Sequence, residues 1–295
     1  VYYVDVSRTA VDGKRRQKLH YAFDGQKILR VRKLTKLKDA SEVFIDTLFP
    51  EIYDEILQLL RRSIKVYLLK DTTILKKLRR ENNLLKSDEN DALMVSRVPG
   101  KSFRALTVQE MEKKVELQPL FNEYELLSKR IKTLKQWIKN DGYNYKLRDS
   151  IMLMERDKEE TVKKIVKMLS DDTIHREACK LLGLNDSVEV AILTIELPLH
   201  LPLNILKKIV GLTPNRSNGR YNHRIRRHLS QLATNIYIIA KRWRDRWEVP
   251  EEFREIIEFL PREKAIYKLQ ARILKTFRKA YFLANYQTTS SPAGR

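Results

Sequence analysis

Cysteine occurs once in the 295 residues, at Cys179, and the five histidines are scattered. That spacing gives neither a disulfide framework nor a zinc-type ligand cluster, and it predicts a reducing, cytoplasmic compartment. Glycine and proline are scarce too, at eight and nine. With Leu, Ile, Lys, Arg and Glu abundant in their place, long helices are favoured over a turn-rich β fold or a low-complexity chain. No uninterrupted apolar stretch approaches the roughly 18 residues that cross a bilayer, so no membrane-spanning segment is expected. The chain opens on Val1 without a secretory apolar core, and no signal peptide is expected. Acidic residues are few beside basic ones, 38 against 59, which leaves a net charge of +21. The length exceeds one simple core and predicts two domains with a helical connector.

The excess charge is uneven. Residues 1–100 hold 21 basic and 14 acidic side chains, residues 101–200 hold 18 and 17, and residues 201–295 hold 20 and 7. Within 211–246, nine Lys and Arg face a single acid, Asp245, and are interleaved with Tyr221, Tyr237 and Trp243, with Trp247 just beyond. Such a block suits a polyanion whose phosphates release counterions on binding, so nucleic acid is the leading partner. A solvated basic face or an acidic membrane surface is the alternative.

The first hundred residues read as a mixed α/β domain. Val1–Val6 is β-rich, and Lys18–Phe23 and Lys27–Leu34 follow as antiparallel partners around the Asp24-Gly25 turn. Glu42–Asp46 and Ile64–Leu69 are further strands, with helices over about 50–62, 72–80 and 88–97. Residues 101–171 read as a helical connector: Leu120, Tyr124, Leu127, Ile131, Leu134 and Ile138 form a heptad seam. A turn at Asn140–Asn144 then leads to a second helix over about 147–169. The pair forms either a hairpin within one chain or an interface with another subunit, since heptads do not say which chain supplies the partner. Residues 172–295 read as a basic, mostly helical domain. It has helices at Val188–Glu196 and Leu203–Val210, a stop at Gly211, a loop at Thr213–Gly219, a basic helix over about Tyr221–Trp243 and two helices after Pro250.

Four acids are candidates for chemistry. Asp5 sits inside the first apolar strand, where a carboxylate is costly unless paired or metal-bound. Asp46 closes the strand expected beside it. Asp88 and Asp91, three apart, share one face of a helix in Lys86-Ser87-Asp88-Glu89-Asn90-Asp91-Ala92. Converging, the four would bind one or two divalent ions, Mg2+ or Mn2+, and activate an oxygen for phosphoryl transfer. Singly, Asp88 fits as an N-cap, Asp91 as a first-turn charge and Asp46 as a strand terminator.

The order of strand Asp5, Asp46-Thr47-Leu48-Phe49-Pro50 and the 86–92 run resembles the DEDD transposases of the insertion sequence 110 family. Gly183-Leu184 with Ala191, and Gly211-Leu212-Thr213-Pro214 followed by Ser217-Asn218-Gly219, resemble that family's C-terminal elements. The likeness covers most of the chain and is strongest at 86–92. Asp46 stands where the family carries Glu, the Gly of its Thr-Gly element is absent, and Asn218 separates Ser217 from Gly219.

The resemblance implies an α/β plus α architecture. It comprises a RuvC-like (RNase H-like) domain with the carboxylate site, a helical hairpin or coiled-coil connector, and a mostly helical transposase domain. It also implies a prokaryotic DNA transposase or recombinase, working as a homo-oligomer (dimer or tetramer) and guided by a structured RNA. In that scheme Ser217 attacks a DNA phosphodiester and forms a covalent link. Arg216 and Arg220 flank it to stabilise developing phosphate charge, and Arg224, Arg226 and Arg227 are candidate nucleic-acid contacts at the start of the basic helix. Without the resemblance, Ser217 reads as an ordinary member of a polar turn. Two other readings remain: a RuvC-like metal-dependent structure-specific nuclease, and a non-catalytic nucleic-acid-binding transposase relative.

Overall fold

The computed structural model describes residues 1–7, 11–12, 14–15, 19–141, 145–185, 187–213, 221–242 and 249–289. The chain divides into two compact units, Val1–Pro119 and Leu120–Arg295.

The first unit is a six-stranded mixed sheet with helices. Strand β1 is Tyr2–Asp5, and a short ribbon pairs β2 (Val11–Asp12) with β3 (Lys14–Arg15) apart from the main sheet. Next come β4 (His20–Phe23), β5 (Ile28–Val31), β6 (Glu42–Ile45), β7 (Lys65–Leu69) and β8 (Phe103–Ala105). The spatial order is β5-β4-β1-β6-β7-β8. β1, β4 and β5 run antiparallel in series, while β6 lies parallel to β1 and β7 parallel to β6. β8 closes the far edge antiparallel to β7. The expected Asp24-Gly25 turn joins β4 to β5: Asp24 Oδ1 accepts from the Gln26 and Lys27 amides at 2.8 Å, and Gly25 takes a positive φ of 103°.

Period-two alternation gives the sheet its two faces. Val4, Val43, Ile45 and Val66 point to one side and are buried with Ile52, Ile56 and Leu59. The last two belong to α1 (Tyr53–Arg61), which follows a single 3-10 turn at Pro50–Ile52. Tyr3, Phe44 and Tyr67 point to the other side. Their rings stack across three strands, 5.2 Å and 4.6 Å between centroids, and pack with Met94 and Val95. That face carries α2 (Thr73–Glu81) and α3 (Asp88–Ser96), with α3 lying over β1 and β4. Ser87, rather than Asp88, is the N-cap of α3, its Oγ accepting from the Asn90 amide at 3.1 Å.

Helix α4 runs from Val108 to Asp141 and contains Pro119, where the division between the units falls. Proline removes one helical hydrogen bond, which makes this a natural place for the helix to change its allegiance. In the second unit, α5 (Tyr145–Met168) returns alongside α4. Lys135 bonds Glu155 at 2.6 Å, and the Lys158 ammonium lies 5.8 Å from the centre of the Tyr124 ring. These contacts join the two helices within one chain.

Helices α6 (Thr173–Leu182), α7 (Val188–Glu196), α8 (Leu203–Ile209), α9 (His223–Arg242), α10 (Glu251–Phe259) and α11 (Arg262–Thr289) complete the unit. Every residue of α7 from Val188 to Thr194 is buried, and the core around it includes Leu182, Leu229, Ile236, Leu269 and Phe277. Among the described residues no helix is long and apolar enough to cross a membrane.

Candidate active site

Strand register brings two of the four acids together. Val4 pairs with Ile45 across the parallel β1–β6 seam, so Asp5 and Asp46 are next in line at the two carboxyl-terminal ends. Both follow the alternation of Tyr3 and Phe44, and both therefore face the α3 side of the sheet. The carboxyl-terminal edge of parallel strands is where open α/β sheets commonly bind ligands.

Both side chains are buried. Asp46 is held in place from several directions. Its Oδ1 accepts from the Val6 amide at 2.9 Å and from Thr47 Oγ1 at 3.4 Å, and its own amide donates to Val4 O at 3.2 Å. Burial raises the Asp46 carboxyl above the ordinary range, while bonds from the Val6 and Thr47 amides and from Asp5 pull it back down. Asp5 has no such relief. Burial, followed by the charges of Asp46, Asp88 and Asp91 and the hydrogen bond it shares with Asp46, pushes its carboxyl up to about 8. A protonated Asp5 donating to an ionised Asp46 is the arrangement that two buried like charges adopt without a cation.

Helix α3 supplies the other pair. Asp88 opens the helix and is exposed, whereas Asp91, one turn on, is buried on the face toward the sheet. Both carry charge close enough to act on Asp5. Asp91 is ion-paired to Arg79 from the last turn of α2. Among the described residues, Arg79 is the one cation bonded to any of the four acids, and no three His, Cys, Asp or Glu side chains stand at metal-ligand spacing. Nothing in the sequence marked Arg79: it lies 12 residues from Asp91, on a different helix.

Ser217, Arg216 and Arg220 lie outside the described residues, as do Trp243 and Trp247. The structure places the three arginines of α9 in different settings. Arg224 turns inward, its Nε donating to Glu125 Oε1 at 2.6 Å and its Nη1 to Glu196 Oε1 at 2.8 Å. Its guanidinium is thus engaged in an internal ion-pair cluster. Arg226 donates to Val210 O at 3.2 Å and lies over the Tyr267 ring. Arg227 is 61 % exposed and reaches Glu125 Oε2 at 2.7 Å.

Glu125 therefore gathers Arg224, Arg227 and His228, whose Nε2 lies 2.8 Å from its Oε1. Burial alone would raise this carboxyl, but the bonds from His228 and Arg224 outweigh burial and hold it down at about 2. Beside it, burial and the charge of Glu189 raise the Tyr124 hydroxyl, which donates to Glu189 at 2.9 Å. Glu125 lies 99 residues from Arg224 and carries no local sequence signal for this role.

No protein-family model and no curated protein matches the chain.

Proposed function

We propose that the chain is a DNA transposase or recombinase whose phosphoryl-transfer site is built on Asp5, Asp46, Asp88 and Asp91, within a RuvC-like first unit. The observation that carries the proposal is the pairing of Asp5 with Asp46 at the ends of adjacent parallel strands, with the two α3 acids within electrostatic reach. The sheet order supports it: three antiparallel strands in series, then two strands parallel to the first, is the arrangement expected of a RuvC-like sheet. An oxygen-only donor set with two buried carboxyls that share a proton fits a hard divalent cation, Mg2+ or Mn2+. When bound, such an ion supplies charge stabilisation at phosphate and an activated oxygen.

The protein's own residues do the remainder. Asp46, fixed by the Val6 amide, presents its second oxygen in a set direction. Asp5, ionised, and Asp91, on the helix side, would be the further carboxylates to hold the ion. The basic surface of the second unit, Arg227 included, holds DNA and a structured guide RNA, and Ser217 is the nucleophile that links covalently to DNA. The chain acts as a homo-oligomer in this reading.

The test uses full-length protein with the RNA that copurifies with it and labelled DNA bearing that RNA's complement. A covalent protein–DNA adduct that forms in Mg2+ and is lost in both Ser217→Ala and Asp5→Asn supports the reading. A Mg2+-dependent nick without adduct moves the chain to the second reading, a RuvC-like structure-specific nuclease. One observation favours that alternative: the four acids it needs all lie within the first unit.

A further inference from the structure

Asp91 is buried beside other carboxylates, and the group that makes this tolerable is Arg79. Removing a carboxylate from water costs several kcal/mol unless a partner compensates, and Arg79 is that partner. The pair is mostly enclosed: the two side chains are 14 % and 11 % exposed. The two helices that carry it are anchored differently. On α3, Ala92, Met94 and Val95 are buried against the sheet around Asp91, which fixes the carboxylate. On α2, Leu75 is the one buried side chain, and Arg79 lies in the last turn, where the helix dipole also favours a cation. The guanidinium is therefore the movable half of the pair. It takes up Oδ1, one of the two oxygens through which Asp91 could reach a cation at the Asp5–Asp46 pair from the helix side.

We propose that Arg79 is a resident counter-ion of the carboxylate site: it holds Asp91 in position when no metal is bound and must leave Asp91 for a divalent cation to bind there. This deepens the metal-site reading above and rests on it. Arg79 is a positioning residue, and it sets the affinity of the site by competing with the metal. A purely structural Arg79 and a competing Arg79 predict opposite signs. Without its support, a structural site would loosen and bind metal more weakly. Without its competition, the site binds metal more tightly.

The experiment is calorimetric titration of the full chain with Mn2+ for wild type, Arg79→Gln, Arg79→Lys, Asp91→Asn, the Arg79→Gln/Asp91→Asn double variant and Asp5→Asn. The expected result is Mn2+ affinity about tenfold tighter in Arg79→Gln, the scale of losing one enclosed ion pair as a competitor. Arg79→Lys, which keeps the charge but loses the planar fork, falls between it and wild type. The two Asp91→Asn proteins bind Mn2+ alike, because Arg79 acts through Asp91. Equal or weaker Mn2+ binding by Arg79→Gln overturns the proposal, as does the same tightening in the Asp91→Asn background, which would reduce Arg79 to a general charge effect. Should Arg79→Gln not fold, Arg79→Lys against wild type decides in the same direction. Mn2+ binding that needs Asp5 but ignores Arg79 overturns the counter-ion alone. No Mn2+ binding by any of the proteins overturns the metal-site reading together with it.

Discussion

Asp5 is the residue whose burial is hardest to explain by folding alone, and its ionisation makes it measurable. Its carboxyl is held at about 8 in the folded protein, against the ordinary carboxylate range when unfolded, so the folded state binds the proton more strongly. By linkage, the stability this proton contributes is complete below about pH 4 and is lost as pH rises toward 8. Asp5→Asn has no charge to bury. In EDTA its stability relative to wild type should improve steadily from pH 5 to pH 8 in urea melts; a difference that does not change with pH would mean that Asp5 ionises normally. Gly211 gives a second residue-scale test. It ends α8 with φ +67°, and a Cβ there would stand 2.8 Å from the Tyr221 ring. Gly211→Ala combines left-handed strain with a steric clash and should cost about 2 kcal/mol, read from the same melts.

Among the elements, those with a clear period were legible and those too short for one were not. The β-rich composition of Val1–Val6 identified β1, while the face that Asp5 shares with Tyr3 came from the register. The largely apolar segment 188–196 marked α7, and the positive-φ glycine Gly211 marked the end of α8. Strands β2, β3 and β8 have two or three residues each, which leaves no room for alternation to register. The heptad seam starts at Leu120, just past Pro119, whereas α4 itself begins at Val108, where Thr107 Oγ1 caps the Glu110 amide at 3.1 Å. Long-range pairs left no trace in the sequence, which is why Arg79 and Glu125 emerged only from the structure. Glu125 fastens α4 to α9 through Arg224 and His228, so Glu125→Ala removes the shared acceptor of this enclosed cluster and leaves Arg224 with Glu196 alone. The expected loss is about 3 kcal/mol, with α9 amides losing hydrogen-exchange protection first. A loss below about 0.5 kcal/mol would mark the cluster as an ordinary surface network.

At the scale of the whole molecule, the +21 charge is an electrostatic statement before it is a functional one. The nucleic-acid binding proposed above would be read from salt dependence, and within α9 Arg227 is exposed whereas Arg224 is engaged by Glu125 and Glu196. Arg227→Ala, at an exposed position, should weaken binding and reduce the log–log salt slope by about one. Arg224→Ala should act mainly on stability, because its guanidinium is committed to Glu125 and Glu196. Equal slopes for Arg227→Ala and wild type would move the phosphate footprint off this helix. The central claim, that four acids form a divalent cation site, is tested most directly by crystals of the full chain grown with Mn2+ and measured for anomalous scattering. The expected map has a manganese peak bridging Asp5 and Asp46, with Asp91 turned to it and Arg79 withdrawn. A structure at saturating Mn2+ with no peak at these carboxylates, and Arg79 still bonded to Asp91, would contradict it.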